Sequence, residues 1–199
     1  CTYCFASPKE IDDLENGNDL DEITSKKIIE FIMSSPGKAA TIEFSGGEAM
    51  ANYPQIKVMA IYAKELNKIG KKSLNLTIVT NLTMVNEEMV NWLIDNDISI
   101  CTSLDGPEHV HDKSRYIQLK TGNQIGTYKT VTKWIKRINE IYKEKGINRK
   151  ISSLPTITKY SLPYYKEIID EHFKYNLNTI DIRPLTYVGK ANDDEPSFD

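Results

Sequence analysis

Cys1 and Cys4 stand three positions apart in Cys1-Thr2-Tyr3-Cys4-Phe5, close enough for two thiolates to serve one metal centre. The spacing alone leaves four chemistries open. A zinc site needs about two more ligands, and the other thiol and imidazole groups are Cys101, His109, His111 and His172, with no second Cys-x-x-Cys. A thioredoxin-like dithiol needs its pair at a helix N-terminus after a strand, whereas a polar, loop-like segment, Ala6 to Asp19, follows Cys4. The pair could be structurally incidental. It could also hold an iron–sulfur cluster together with a cysteine upstream of Cys1; the chain opens without Met, so it reads as starting mid-protein, inside a motif.

Three further groups carry chemistry. Gly46-Gly47-Glu48 gives two residues that let a ligand approach the backbone and permit positive φ. The adjacent carboxylate suits a cationic group such as a substrate ammonium, whereas a phosphate cradle would want Lys or a row of N–H donors. The bland alternative is a tight strand-to-helix turn. Ser103-Leu104-Asp105-Gly106-Pro107 is either a capped turn or part of a site, and His111-Asp112 with Arg115 are either solvated loop residues or part of the same site. Cys101, between Ile100 and Thr102 on a β-prone run, reads as a buried structural thiol. His172, in an amphipathic stretch, reads as a surface residue.

Composition bounds the possibilities. The chain has 199 residues, 40% hydrophobic and 27% charged, enough for one sizeable globular domain. A formal net charge of −3 gives no electrostatic case for nucleic acid. The short basic runs (Lys68, Lys71, Lys72; Lys143, Lys145) read as solvated helix faces. No apolar run approaches the roughly 18 residues that span a membrane. Three cysteines, an odd count, argue against a disulfide framework and for a reducing, cytoplasmic setting.

The elements that must position these groups alternate. Asp21–Ser34 carries Ile28, Ile29, Phe31 and Ile32 at helical spacing and stops at Pro36-Gly37. Thr41–Ser45 reads as a strand. The next helix has Pro54 in its first turn, Ile56, Met59, Ala60, Ala63 and Leu66 on one face, and ends at Gly70. Leu74–Asn81 is a second strand, Asn86 caps a short helix with Glu87 and Glu88 in its first turn, and Ile98–Leu104 is a third strand. Glu108–Gly126 reads as a long polar loop, a length that is often functional. Thr127–Lys145 is a helix, Lys150–Thr158 a fourth strand, Ser161 to Phe173 a helix, and Thr179–Leu185 a fifth strand. Asn192–Asp199 reads as a frayed, acidic tail or the head of a linker. Strands alternating with helices imply parallel βαβ units. With one strand expected upstream of Cys1, the fold class is α/β, a partial (βα)6 TIM-like barrel whose first strand is missing from this chain. Its site would lie at the strands' carboxyl ends, where Gly46, Asn81, Ser103, Asp105, Thr158 and Arg183 gather.

Taken together, Cys1-Thr2-Tyr3-Cys4-Phe5, Glu43-Phe44-Ser45-Gly46-Gly47-Glu48, Thr80-Asn81 and Ser103-Leu104-Asp105-Gly106-Pro107 with His111-Asp112 resemble radical SAM enzymes. The resemblance is closest to the peptide- and protein-modifying subgroup that includes anaerobic sulfatase-maturating enzymes. Leu154–Pro163 and Ile182–Leu185 are similar to the maturase of the His-Xaa-Ser peptide-modification system. The family signature is Cys-x3-Cys-x2-Cys; Cys1 and Cys4 match its second and third cysteines, and the first would fall four residues upstream. The resemblance implies a [4Fe–4S] cluster on these thiolates, with one iron left for the amino and carboxylate groups of S-adenosylmethionine. Tyr3 would lie against the adenine, with Phe5 beside the cofactor. Gly46, Gly47 and Glu48 would meet the methionyl amine, Ser103 the ribose, Asn81 and Asp105 the same pocket, and Arg115 the methionyl carboxylate.

The implied activity is reductive cleavage of S-adenosylmethionine to a 5′-deoxyadenosyl radical that takes hydrogen from a peptide or protein, with a reductant such as flavodoxin or ferredoxin. No nucleic acid or membrane partner is expected. Residues 1–190 would be the barrel core, truncated at its N-terminus, and 191–199 the tail or the start of a linker to a C-terminal domain missing here. Without the first cysteine, this piece alone is expected to hold a cluster poorly and to be inactive. The rival readings are a degenerate nucleotide-binding barrel without radical chemistry and a zinc-binding domain.

Overall fold

The computed structural model describes residues 1–4, 19–186 and 189–191. The expected loop from Ala6, the cofactor contact at Phe5 and the tail 192–199 lie outside the described residues, apart from Asp19 at the loop's end. The chain divides into two compact units. One comprises Leu14–Thr80 and Met84–Ile100; the other comprises Cys1–Asp13, Asn81–Thr83 and Cys101–Asp199.

The first unit is built from α1 (Glu22–Ser34), β1 (Ala39–Phe44), a 3-10 turn (Ala49–Asn52), α2 (Tyr53–Gly70), β2 (Ser73–Thr80), α3 (Glu87–Asp95) and the start of β3 (Ile98–Thr102). Local sequence sets each boundary. Asp21 caps α1 by accepting from the Thr24 amide at 2.7 Å. Pro54 sits in the first turn of α2, and Lys71 closes that helix in the left-handed region at φ 48°. Asn86 caps α3 by accepting from the Met89 amide at 2.9 Å. β1 and β2 pair in parallel, from Ala39 opposite Ser73 to Phe44 opposite Ile78, and β3 follows β2 in the strand order. Alternation decides the faces. Ala40, Ile42 and Phe44 of β1 and Leu76 and Ile78 of β2 are buried together with Ile56, Met59, Ala60 and Ala63 of α2. Ala39, Thr41 and Glu43 point the other way and are exposed.

The second unit holds the end of β3, α4 (Glu108–Ser114), the hairpin strands β4 (Tyr116–Gln118) and β5 (Gln124–Gly126), α5 (Tyr128–Glu144), β6 (Ser152–Ser153), β7 (Thr156–Ile157), a 3-10 turn (Leu162–Tyr164), α6 (Tyr165–Lys174) and β8 (Arg183–Pro184). α5 supplies the core, with Val131, Ile135, Ile138 and Ile141 at most 1% exposed. Each such burial stabilises by about 1.5–3 kcal/mol. β6 pairs in parallel with β3, and β7 with β8.

Several expectations are corrected here. The segment Glu108–Gly126 is not a long loop: α4 forms over its first seven residues because Val110, His111 and Ser114 share a buried face. The rest folds as an antiparallel hairpin, Tyr116 opposite Gly126, turning through Gly122 at φ 86°. The fourth strand breaks at Leu154-Pro155, where proline removes a ladder donor, into β6 and β7. The fifth strand is assigned only over Arg183–Pro184. Its backbone nonetheless tracks the fourth: the Ser153 amide donates to the Thr179 carbonyl at 2.9 Å, the Asp181 amide to the Ser153 carbonyl at 2.8 Å, and the Arg183 amide to the Pro155 carbonyl at 3.0 Å. His172 is 1% exposed rather than on the surface; it shares the buried face of α6 with Ile168, and Ser153 and the Ile168 carbonyl meet its two ring nitrogens.

Candidate functional site

The unit containing both N-terminal thiols carries the denser network. Cys1 to Cys4 form a single turn, closed by the Cys4 amide on the Cys1 carbonyl at 3.3 Å. Two backbone bonds anchor it: the Thr2 amide donates to the Ser114 carbonyl at 3.0 Å, and the Lys190 amide to the Cys4 carbonyl at 2.9 Å. Cys1 is exposed, Cys4 partly buried, and neither is in a disulfide. The Tyr3 hydroxyl donates to Asp105 Oδ2.

Asp105 is the hub. It is 2% exposed. Arg115 Nε donates to its Oδ2 at 2.8 Å, and the Thr156 amide donates to its Oδ1 at 3.0 Å. Its own amide donates to His111 Nδ1 at 3.3 Å. That bond requires Nδ1 to be unprotonated, so Nε2 carries the hydrogen and donates to Thr127 Oγ1 at 3.0 Å. Thr127 in turn donates to the Arg115 carbonyl at 3.1 Å. The guanidinium lies 5.3 Å from the centre of the Tyr3 ring, and its Nη1 donates to Cys1 Sγ at 3.7 Å. Gly106 lets the chain turn beside this hub: it sits at φ 138°, and a Cβ there would meet Ile168 Cγ1 at 2.8 Å.

The electrostatics follow from burial and pairing. Burial would raise the Asp105 carboxyl, but Arg115's charge and hydrogen bond outweigh it and hold it below the usual carboxylate range. Burial would weaken the Arg115 guanidinium, and Asp105 reverses that, so it stays charged. Burial and the neighbouring Asp105 carboxylate push the Tyr3 phenol well up, so it stays protonated and donates. Burial pushes His111 down to about 4, keeping the imidazole neutral.

The other unit carries the glycine pair. After β1, Gly46 takes φ 156°, and a Cβ at Gly46 or Gly47 would have no atom within 4 Å, so the backbone faces open space. Glu48 caps the following 3-10 turn by accepting from the Met50 amide at 3.0 Å, and Thr80 Oγ1 donates to the same oxygen at 2.6 Å. A cavity of about 350 Å³ adjoins these residues, lined among others by Glu43, Phe44, Ser45, Asn52, Gln55 and Met59.

The fate of the sequence-derived residues is therefore specific. Cys1, Tyr3, Asp105 and Arg115 are joined by direct contacts, with Cys4 on the same turn; Gly46, Gly47 and Glu48 share one turn. Asn81 uses its side-chain oxygen to accept from the Thr83 amide at 2.9 Å and hydroxyl at 2.6 Å, holding its own loop. Ser103 is partly buried at the end of β3. Sequence reasoning missed Thr127 and the Thr156 amide; an ordinary hydroxyl and a backbone donor leave no motif. It also missed a buried cluster in which Tyr128 donates to Glu171, beside Tyr175 and Lys174. Its signal was an acid on the apolar side of α6, one position before His172.

The chemistry of the donor set fits a thiolate-bound metal: one exposed and one partly buried thiol on one turn, beside a charge-assisted donor. Among the described residues no group of three or more His, Cys, Asp or Glu could hold a metal. The open glycine backbone leaves room for a ligand to approach.

Parallel βαβ units with a two-thiol turn define the chain as an α/β protein. The family model of the Radical SAM superfamily matches residues 1–171, and the chain belongs to that superfamily. It is 24% identical over 180 residues to an uncharacterized protein of Methanocaldococcus jannaschii, covering 90% of this chain and 56% of that protein. It is 26% identical over 158 residues to the cysteine-type anaerobic sulfatase-maturating enzyme of Clostridium novyi, covering 74% of this chain and 38% of that enzyme. Among solved structures, native anSMEcpe with bound AdoMet matches with a TM-score of 0.74 at 16% identity, covering 94% of this chain and 48% of that one. The same protein with bound AdoMet and Kp18Cys peptide also gives a TM-score of 0.74, at 16% identity over 94% of this chain and 47% of that one. The chain thus spans between 38% and 56% of the length of these relatives.

Proposed function

We propose that the chain is the core of a radical SAM enzyme that modifies a peptide or protein. In this reading residues 1–190 form a partial (βα)6 barrel, and 191–199 lead into a linker. Cys1 and Cys4, with a third thiolate, hold a [4Fe–4S] cluster. Tyr3, Phe5, Gly46, Gly47, Glu48, Asn81, Ser103, Asp105 and Arg115 receive S-adenosylmethionine. When bound, these groups supply one-electron cleavage of the sulfonium C–S bond and a 5′-deoxyadenosyl radical for hydrogen abstraction.

The observation that carries this reading is the Cys1–Cys4 turn, tied through Tyr3 and Arg115 to one buried carboxylate. A cluster site needs ligands held before the metal arrives, and this turn is held by the anchoring bonds at Thr2 and Cys4. The remaining roles follow from each group's chemistry. The Gly46-Gly47 backbone admits the methionyl end, and Glu48, fixed by Thr80, offers a carboxylate to the ammonium. Tyr3, kept protonated, offers an aromatic face while its hydroxyl stays on Asp105. A peptide or protein as substrate is supported by the maturase relative, named for acting on sulfatases, and by the peptide bound to anSMEcpe. A flavodoxin or ferredoxin would deliver the electron in a reducing cytoplasm; no helix of the described residues is long and apolar enough to cross a membrane.

The test is anaerobic reconstitution of the full-length protein. The reading expects at least about four iron and four sulfide per chain, loss of about four of each in Cys1→Ala and Cys4→Ala, and 5′-deoxyadenosine on reduction with S-adenosylmethionine. Stoichiometric zinc, or nucleotide binding without 5′-deoxyadenosine, would sink it.

A further inference from the structure

We infer that Arg115 is a hydrogen-bond donor to the Cys1 sulfur and sets the reduction potential of the metal centre held there; this rests on the cluster reading above. The guanidinium is fixed on three sides. Nε is committed to Asp105 Oδ2 at 2.8 Å, the plane lies 5.3 Å from the centre of the Tyr3 ring, and Nη1 reaches Cys1 Sγ at 3.7 Å.

The backbone is fixed as well. The Arg115 amide donates to the His111 carbonyl at 2.9 Å, and the Arg115 carbonyl accepts from the Thr127 amide at 3.2 Å and hydroxyl at 3.1 Å. The residues next to donor and acceptor are themselves bonded, the Thr2 amide to the Ser114 carbonyl at 3.0 Å. Arg115 and Cys1 are therefore brought together by a chain-to-chain tie one residue away, and not by side-chain reach alone. Arg115 is 9% exposed, so its donors are shielded from competing water.

This arrangement gives Arg115 a partner, the Cys1 sulfur, besides the methionyl carboxylate expected of it. Two of its five N–H donors serve Asp105 and Cys1, and the remaining donors are left for a ligand carboxylate. A donor to a ligating sulfur withdraws electron density and stabilises the more negative, reduced form of an iron–sulfur centre; hydrogen bonds to sulfur and local charge are the levers by which proteins tune such centres. Arg115 is then a positioning residue that raises the potential. Removing it makes the centre harder to reduce.

The experiment uses the full-length protein with its cluster reconstituted, in parent, Arg115→Gln and Arg115→Lys forms. Two quantities are read: the midpoint of an EPR-monitored redox titration, and the Kd for S-adenosylmethionine. The inference expects the Gln form to have a more negative midpoint and the Lys form to lie between Gln and parent, both measured without S-adenosylmethionine, while Kd reports separately on any contact with the methionyl carboxylate. An unchanged midpoint with Kd weakened tenfold or more would overturn it and return Arg115 to the carboxylate. If Arg115→Gln folds poorly because Asp105 is left unpaired, Arg115→Lys, which keeps a positive charge beside Asp105, carries the midpoint comparison with the parent. A parent protein that takes up no iron and sulfide overturns the underlying reading as well, a failure distinct from a loaded cluster with an unmoved midpoint.

Discussion

Replacing Asp105 by Asn removes the negative half of a buried ion pair while keeping the side chain's size. The Arg115 side chain is 10% exposed and the Asp105 side chain 3%, so the guanidinium would be left charged with little water to compensate. Breaking a buried pair by removing one partner costs about 3–5 kcal/mol. Asn retains an oxygen for the Thr156 amide, so the lower end, about 3 kcal/mol, is expected at pH 7. The pH dependence has a definite sign. Arg115, against the opposing effect of burial, holds the Asp105 carboxyl below its ordinary value, so the unfolded chain binds the proton more readily. The pair's contribution is fully present above the unfolded value near 3.9 and fades as pH falls through the folded value. The gap between parent and Asp105→Asn should therefore be flat from pH 8 to 5 and close below about pH 4. Urea unfolding followed by Trp134 fluorescence, in a Trp92→Phe background, reports the right region, because Trp134 belongs to the same unit as Asp105. Asp105→Asn with Arg115→Met should cost less than Asp105→Asn alone. A loss below about 1 kcal/mol, the size of an exposed salt bridge, would refute the hub role.

Other consequences are direct. Burial holds His111 near 4 in the folded protein against 6.5 unfolded, so its contribution to stability is complete above about 6.5 and is lost toward 4; its NMR resonance should stay flat from pH 8 to 5.5, and a midpoint near 6.5 would contradict the buried neutral ring. Gly106→Ala should destabilise by about 1–3 kcal/mol, because its Cβ would clash with Ile168 at 2.8 Å in a backbone conformation that L residues avoid; a neutral change in denaturation midpoint would count against the geometry. Glu48→Gln, which keeps the cap on Met50, should raise the Kd for S-adenosylmethionine about tenfold or more, roughly 1.4 kcal/mol, with thermal stability little changed.

The helices other than α4, and the first three strands, were legible because their signals are local. Asn86 as a cap, Pro54 in a first turn and the apolar face of α5 each act within one element. The site residues were legible only through a family pattern: nothing in the spacing of Cys1, Asp105 and Arg115 says that they touch. The illegible parts depend on distant partners. α4 is too short and polar to show a period and is fixed by burying His111 against Thr127. Lys150–Thr158 looked like one strand because alternation carries no sign of the break that Pro155 makes in the ladder. His172 looked exposed because an amphipathic stretch does not say which face a polar ring takes; Ser153 and the Ile168 carbonyl receive its ring in the interior.

The central claim is that the Cys1–Cys4 turn carries a cluster that S-adenosylmethionine engages directly. EPR of the dithionite-reduced, reconstituted full-length protein, recorded before and after adding S-adenosylmethionine, tests it most directly. The account predicts an S = 1/2 iron–sulfur signal whose g values shift on addition, and its loss in Cys4→Ala. A signal unmoved by S-adenosylmethionine, or one that survives in Cys4→Ala, would contradict it.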